Sequence, residues 1–319
     1  MHRKVSVLIP AYNAAATIEA AVGTCLAQDL DGIEIVLVDD ASTDGTADIA
    51  ARLAAEISCV RSFVLPANRG PGVARQYALE RATGEWIALL DVDDGWKPDR
   101  LRRLLSAAEA GHLDAIADNL DLVDPGDGRI VRKAFPIGDD ESIDLNASRF
   151  LRNSVPGGYV TMGWMKPLVR RDFLARNGIA WPDLRHAEDF VLAIRLLAAE
   201  PRFRLVGWAG YLYTQRRGSA TGTASGMSRT KRSVDAQLAA IDLAWDAIAR
   251  QAPDPSALER LRKMRSEVRA TSAVLDARDA WSAGRKLAAA GDLLRSAGTP
   301  FALTRCVVAR YGPRARRIR

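Results

Sequence analysis

Cysteine is scarce in this sequence: three residues in 319, Cys25, Cys59 and Cys306, with no spacing that a disulfide framework or a metal site uses. We read all three as buried or inert thiols in a reduced compartment. Aromatic residues make up only 6%, and no basic stretch is interleaved with stacking rings, which argues against nucleic acid as a partner. Long apolar runs are missing as well, since nothing approaches the roughly twenty residues that cross a bilayer. The apolar run behind the basic first residues stops at Pro10, too early for a secretory leader. A cytoplasmic location is the expectation. The charge excess is small, +6 from 45 Lys+Arg and 39 Asp+Glu. It hides a segregation, because residues 226–319 carry 19 basic and 9 acidic side chains, leaving residues 1–225 at −4. An acidic body suits a divalent metal or a neutral substrate. A basic, helix-patterned tail suits an anionic surface or a partner, or is simply a solvated helical face.

What is present, with 48% hydrophobic residues, is a β-α-β-α-β-α-β pattern over the first hundred residues. Candidate strands Val5–Ile9, Glu34–Val38, Val60–Leu65 and Trp86–Leu90 are short aliphatic runs. Thr17–Ala27, Gly45–Glu56 and Pro71–Ala82 between them have the composition and length of crossover helices. Continuous apolar strands predict a parallel sheet covered on both faces. A basic helix follows from Arg100 to Ala110, then strand-like segments Asp114–Asn119 and Arg129–Phe135, and mixed structure to residue 225. From Met227 only helical periodicity remains, broken at Pro253 and Pro255. We therefore divide the chain into an α/β body, 1–225, and a basic helical region, 226–319, and find no internal repeat.

In a parallel sheet, ligands bind beyond the carboxyl ends of the strands, so polar residues just after strands are the first candidates. The first strand is followed by Tyr12 and Asn13, the second by Asp39-Asp40, then Ser42 and Asp44, and the fourth by Asp91-Val92-Asp93-Asp94. Ser42 and Asp44 are expected to cap the following helix. Asp39 stands too early for that and is placed to accept a hydrogen bond from a ligand. Three carboxylates in four residues repel one another unless a cation resolves the conflict. Mg²⁺ or Mn²⁺, which takes one or two protein carboxylates along with phosphates and waters, fits that cluster.

These motifs, in this order, resemble the family 2 glycosyltransferases of the GT-A fold. The matching stretches are Val5–Asn13, Val38–Gly45, Asn68-Arg69-Gly70-Pro71-Gly72 and Leu90–Asp94, and the resemblance extends over about residues 4–220. It implies transfer of a sugar from a nucleotide diphosphate sugar to an acceptor hydroxyl, with inversion at the anomeric carbon. It also implies that Asp39 meets the nucleotide base, beside Asp40, and that the Pro10-Ala11-Tyr12-Asn13 loop lies against base and ribose. Arg69, Gly70 and Arg75 would lie near the diphosphate. Asp91, Val92 and Asp93 would form the metal-binding turn, Asp93 being the stronger metal ligand. Glu188-Asp189 matches the family's acidic pair, with Asp189 as the catalytic base. Asp118-Asn119 and Lys166, within Ala117–Asp121 and Gly163–Pro167, resemble bacterial exopolysaccharide glucosyltransferases of the succinoglycan type. Asp118 and Asn119 would face a sugar, and Lys166 the diphosphate or the acceptor. The implied donor is UDP-glucose, and the implied acceptor a growing glycan or polyprenyl-linked oligosaccharide. Reaching such an acceptor would bring the basic region, with Arg310, Arg314, Arg316, Arg317 and Arg319, to an anionic membrane face.

The chain departs from the processive members in lacking both a Gln-x-x-Arg-Trp motif and membrane spans, so one sugar per encounter is expected. Where relatives place a histidine after the last core strand, Thr214, Gln215 and Arg216 stand instead, with Arg216 or Arg217 as a substitute charge. Two rival readings fit the same alternation of strands and helices less well. A dinucleotide-dependent oxidoreductase fails because Ala11-Tyr12-Asn13-Ala14-Ala15 replaces the Gly-x-Gly-x-x-Gly cradle. A non-catalytic sugar-nucleotide-binding protein would have no need of Asp91, Asp93 and Asp189 together.

Overall fold

The computed structural model describes residues 4–154, 162–215, 231–251 and 253–283. Its first half follows the expected alternation: β1 (Val5–Ala11), α1 (Ile18–Leu26), β2 (Ile33–Asp39), α2 (Thr46–Glu56), β3 (Val60–Val64), α3 (Pro71–Arg81) and β4 (Trp86–Leu89). Pro71 opens α3 at its first turn, where a missing N–H leaves no hydrogen bond unmade. β5 (Gly95–Trp96), α4 (Arg100–Ala110), β6 (Ala115–Val123), β7 (Ile130–Lys133), β8 (Ser142–Asp144) and α5 (Ala147–Arg152) come next. A 3₁₀ turn, Met162–Trp164, leads to β9 (Leu168–Arg170), α6 (Arg171–Arg176), α7 (Glu188–Ala198), β10 (Phe203–Thr214), α8 (Lys231–Gln251) and α9 (Pro255–Ser282).

The strands form one sheet in the order β3-β2-β1-β4-β9-β6-β10-β5, with β7 added to β6 and β8 to β10. β3, β2, β1 and β4 are mutually parallel. The short β9 runs antiparallel between β4 and β6, while β10 is parallel to β6. The same sheet thus passes through residues 1–110 and 111–225, and the carboxyl ends of β1, β2 and β4 share one edge. The opposite edge is pinned by Glu34, fully buried, which accepts from the Ser6 hydroxyl, the Thr83 amide and Arg61. β1, β2, β3 and the turn before β4 meet there.

β6 runs four residues beyond the expected Asn119. The polar pair inside it did not end the strand because its side chains find partners within the protein, as shown below. Segment 129–135 keeps only four residues as strand, with Ile130 and Val131 exposed on β7. The expected break at Pro253 and Pro255 separates α8 from α9. α8 packs on α7, and α9 on α5. Val234, Ile241, Ile248, Leu261 and Met264 of these helices join the body's hydrophobic core. Among the described residues no helix is long and apolar enough to cross a membrane. Cys25 is buried in the core, which pushes its thiol up, and Cys59 is partly buried. Cys306 and the arginines at 216, 217 and 310–319 lie outside the described residues.

Candidate active site

At the ends of β1 and β2, two loops lock together. Asn13, in a left-handed conformation at φ 49°, donates its amide to the Ser42 hydroxyl and accepts from the Thr43 amide on its side-chain oxygen. Ser42 therefore braces the neighbouring loop and does not cap α2. Gly45 is the N-cap residue, and Asp44 accepts from the Ala15 and Thr46 amides. The lock leaves the Tyr12 ring 50% exposed at the rim, while Pro10 is buried within β1. Asp39 is 1% exposed. Its Oδ2 accepts from the Ser42 amide at 3.0 Å, and its Oδ1 has no hydrogen-bond partner among the described residues. A buried carboxylate oxygen without a partner is destabilising unless a ligand supplies the donor.

Its neighbour Asp40 is spent differently. Its two oxygens accept from the amides of Arg69 and Gly70, at 2.8 and 2.7 Å. The Arg69 guanidinium pairs with Asp183 at 2.7 Å. Gly70, at φ 94°, turns the chain into α3, and a Cβ there would meet the Arg185 side chain at 2.8 Å. Asp40, Arg69 and Gly70 thus order the loop that launches α3, and the donor roles expected of them would need these bonds to be exchanged.

The β4 end and the start of α7 meet over two cations. Arg75, in the second turn of α3, bonds Asp91 Oδ1 through Nη2 at 2.6 Å, Asp189 Oδ1 through Nη1 at 3.1 Å, and Glu188. Lys166, 4% exposed, places Nζ 2.9 Å from Asp91 Oδ2 and 2.6 Å from Asp189 Oδ2. Burial alone would raise the Asp91 carboxyl, but Lys166 and Arg75 overcome it and hold it well below the usual carboxylate range. Burial works the other way on Lys166, and Asp189 and Asp91 more than compensate, keeping the ammonium charged. Glu188 is pushed up, chiefly by burial. Ala187, just before the pair, sits in the left-handed region at φ 62°, a strained conformation for a residue with a Cβ that aims the first turn of α7. His186 is exposed on the approach to it.

Within the acidic turn the three aspartates divide. Asp94 points into the sheet, accepting from the Tyr211 hydroxyl and the Thr214 amide, both at 2.8 Å. Burial, then Asp91 and Asp93, push its carboxyl well up. Tyr211 also accepts from the Asp91 amide at 3.2 Å, so β10 fixes the turn at two points. This brace was not legible in the sequence. Asp93 and Val92 are partly buried on the same turn.

Asp118 and Asn119 do not face the opening. Asp118 is fully buried in a bidentate pair with Arg100 and accepts from the Gly210 amide. Asn119 bonds the Phe135 backbone and the Gly207 carbonyl. Both tie β6 to its neighbours, correcting the expectation that they touch a sugar.

Among the described residues no group of three or more His, Cys, Asp or Glu side chains converges as a metal shell. The donors of the acidic turn are nevertheless hard carboxylate oxygens, the type Mg²⁺ and Mn²⁺ take, often only one or two from protein. Both Asp91 oxygens are paired to cations, and Asp93 follows on the same turn. A divalent ion fits these residues.

The sequence profile of glycosyl transferase family 2 matches residues 6–172. The chain is 37% identical over 217 residues to the succinoglycan biosynthesis protein ExoO of Rhizobium meliloti (strain 1021), covering 67% of this chain and 62% of that one. With ExoU of the same organism it is 34% identical over 225 residues, covering 69% and 64%. The chain thus spans a little under two thirds of these curated relatives. The fold matches S. aureus TarS 1-349 in complex with UDP at TM-score 0.66 and 20% identity, covering 98% of this chain and 93% of that one. It also matches mannosyltransferase PcManGT of Pyrobaculum calidifontis, solved with GDP-Man and Mn²⁺, at TM-score 0.55 and 19% identity, covering 97% and 80%. The family profile spans more than half the chain and the sheet is that of the GT-A proteins, so the chain belongs to glycosyl transferase family 2.

Proposed function

We propose that the protein transfers one sugar per encounter, with inversion, from a nucleotide diphosphate sugar to an acceptor hydroxyl. The observation that carries this reading is the cluster in which Asp91, from the nucleotide-side strand β4, and Asp189, from α7, share the cations Arg75 and Lys166. It brings a diphosphate-facing charge set and a carboxylate base into one site. Asp39 Oδ1 is open to a donor from the nucleotide base, and the exposed Tyr12 ring offers a stacking surface beside it. Asp189 takes the acceptor proton on a carboxylate oxygen as the acceptor oxygen bonds the anomeric carbon. The bond from that carbon to the diphosphate breaks, and Arg75 and Lys166 balance the charge of the departing group. Asp93, with Asp91, would hold a divalent ion, whose chemistry is to neutralise the leaving diphosphate.

UDP-glucose is the donor we favour, and a bacterial exopolysaccharide or polyprenyl-linked oligosaccharide the acceptor class, in keeping with the relatives named for succinoglycan biosynthesis. Work on such an acceptor would place the enzyme at the inner face of the plasma membrane, with the basic region 226–319 as the contact. The division into a nucleotide half (1–110), an acceptor half (111–225) and that region belongs to the same proposal. Asp93→Ala tests the core of it: turnover and metal-dependent UDP binding should both vanish while the circular dichroism spectrum is unchanged. Near-normal turnover would refute the metal assignment.

A further inference from the structure

We infer that Lys166 ties the availability of the base to occupancy of the donor site, its ammonium being held between Asp91 and Asp189 until a diphosphate draws it away. The inference rests on the reading of Asp189 as base and of the Asp91 edge as the diphosphate site. In the structure both oxygens of Asp189 are engaged by cations. Its Oδ2 is engaged by Lys166 at 2.6 Å, and its Oδ1 by Arg75 at 3.1 Å with the Trp181 indole nitrogen at 3.5 Å. With a cation on each oxygen, one of the two has to move before an acceptor hydroxyl can take its place on Asp189.

Of the two cations, Lys166 is the one free to change partners. Arg75 is anchored by three carboxylates, Asp91, Glu188 and Asp189, whereas Lys166 is shared by two. Lysine is a compact charge on a flexible stem, and arginine's planar fork is fixed by its pairing geometry. Both carboxylates compete with an incoming diphosphate for the same ammonium. When phosphoryl oxygens take it, Asp189 Oδ2 is released toward the acceptor. Such coupling is reciprocal: whatever diphosphate gains by recruiting Lys166, Asp189 opposes.

Reciprocity gives a test that needs no turnover. Calorimetric titration of UDP with Mg²⁺ into the full chain should show Asp189→Asn binding about tenfold tighter than the unaltered protein, within the usual range of site-to-site coupling. Lys166→Met should bind more weakly, and Asp189→Asn added to Lys166→Met should change affinity by less than about twofold, because the shared cation is gone. Lys166→Gln repeats the cycle if the methionine variant does not fold. Equal or weaker binding by Asp189→Asn overturns the inference, as does a gain of the same size in both backgrounds, which would reflect net charge alone. Failure of the unaltered protein to bind UDP would overturn the site reading together with it, whereas normal binding with additive effects overturns the inference alone.

Discussion

Adjacent side chains of one type do different work here according to the partners each finds. Asp40 satisfies two backbone amides, while Asp39, one residue earlier, keeps a buried oxygen open. Asp39→Ala should therefore weaken UDP binding by about 1–3 kcal/mol, the scale of a polar partner left unpaired. Calorimetry showing unchanged affinity would remove Asp39 from the site. The sequence located Asp39, Asp91 and Asp93 by their position after strands, and Glu188 and Asp189 through the resemblance to the family's acidic pair; Arg75 and Lys166 join Asp91 to that pair in the fold. The sequence failed at Asp118, where Ala-Asp-Asn reads as the polar end of a strand. Only the tertiary fold brings Arg100 against it, and a neutralised buried pair looks from sequence like an exposed acid. The same blindness applies to Lys166, whose two partners lie on separate elements.

The long crossover units were legible because each has enough residues to show its period, whereas β5, β8 and β9, of two or three residues, have none to show. What holds the legible elements together also lay between strands. Burial alone would raise the Glu34 carboxyl, but the Ser6 hydroxyl, the Thr83 amide and Arg61 overcome it and hold it at about 2, against an ordinary 4.5. A carboxyl lowered by folding contributes stability that is complete above about 4.5 and is lost as pH falls toward 2, about 3 kcal/mol in all. Urea titrations across that window should show the stability advantage of the unaltered protein over Glu34→Gln shrinking by about that amount. A constant difference from pH 5 to pH 2 would mean the pin acts by packing and not by charge.

At the level of the whole molecule, the basic region begins as part of the body. Leu261 and Ile248 are fully buried in the core cluster that includes β1 and β4. Leu261→Ala should cost about 2–5 kcal/mol and lower a single cooperative transition, followed by circular dichroism and tryptophan fluorescence alike. An early separate transition with UDP binding intact would show α8 and α9 to be an independent unit. Arg75 and Lys166 join the end of β4 to the start of α7, so the proposed donor and base chemistry stand or fall together. The most direct measurement is UDP release from UDP-sugars with Mg²⁺, UDP-glucose first, by the unaltered protein and by Asp189→Asn. The account predicts release that chelation abolishes and that falls by roughly 10²–10⁴ in the variant, the usual worth of positioned proton transfer. Comparable release by Asp189→Asn, or release indifferent to chelation, would contradict it.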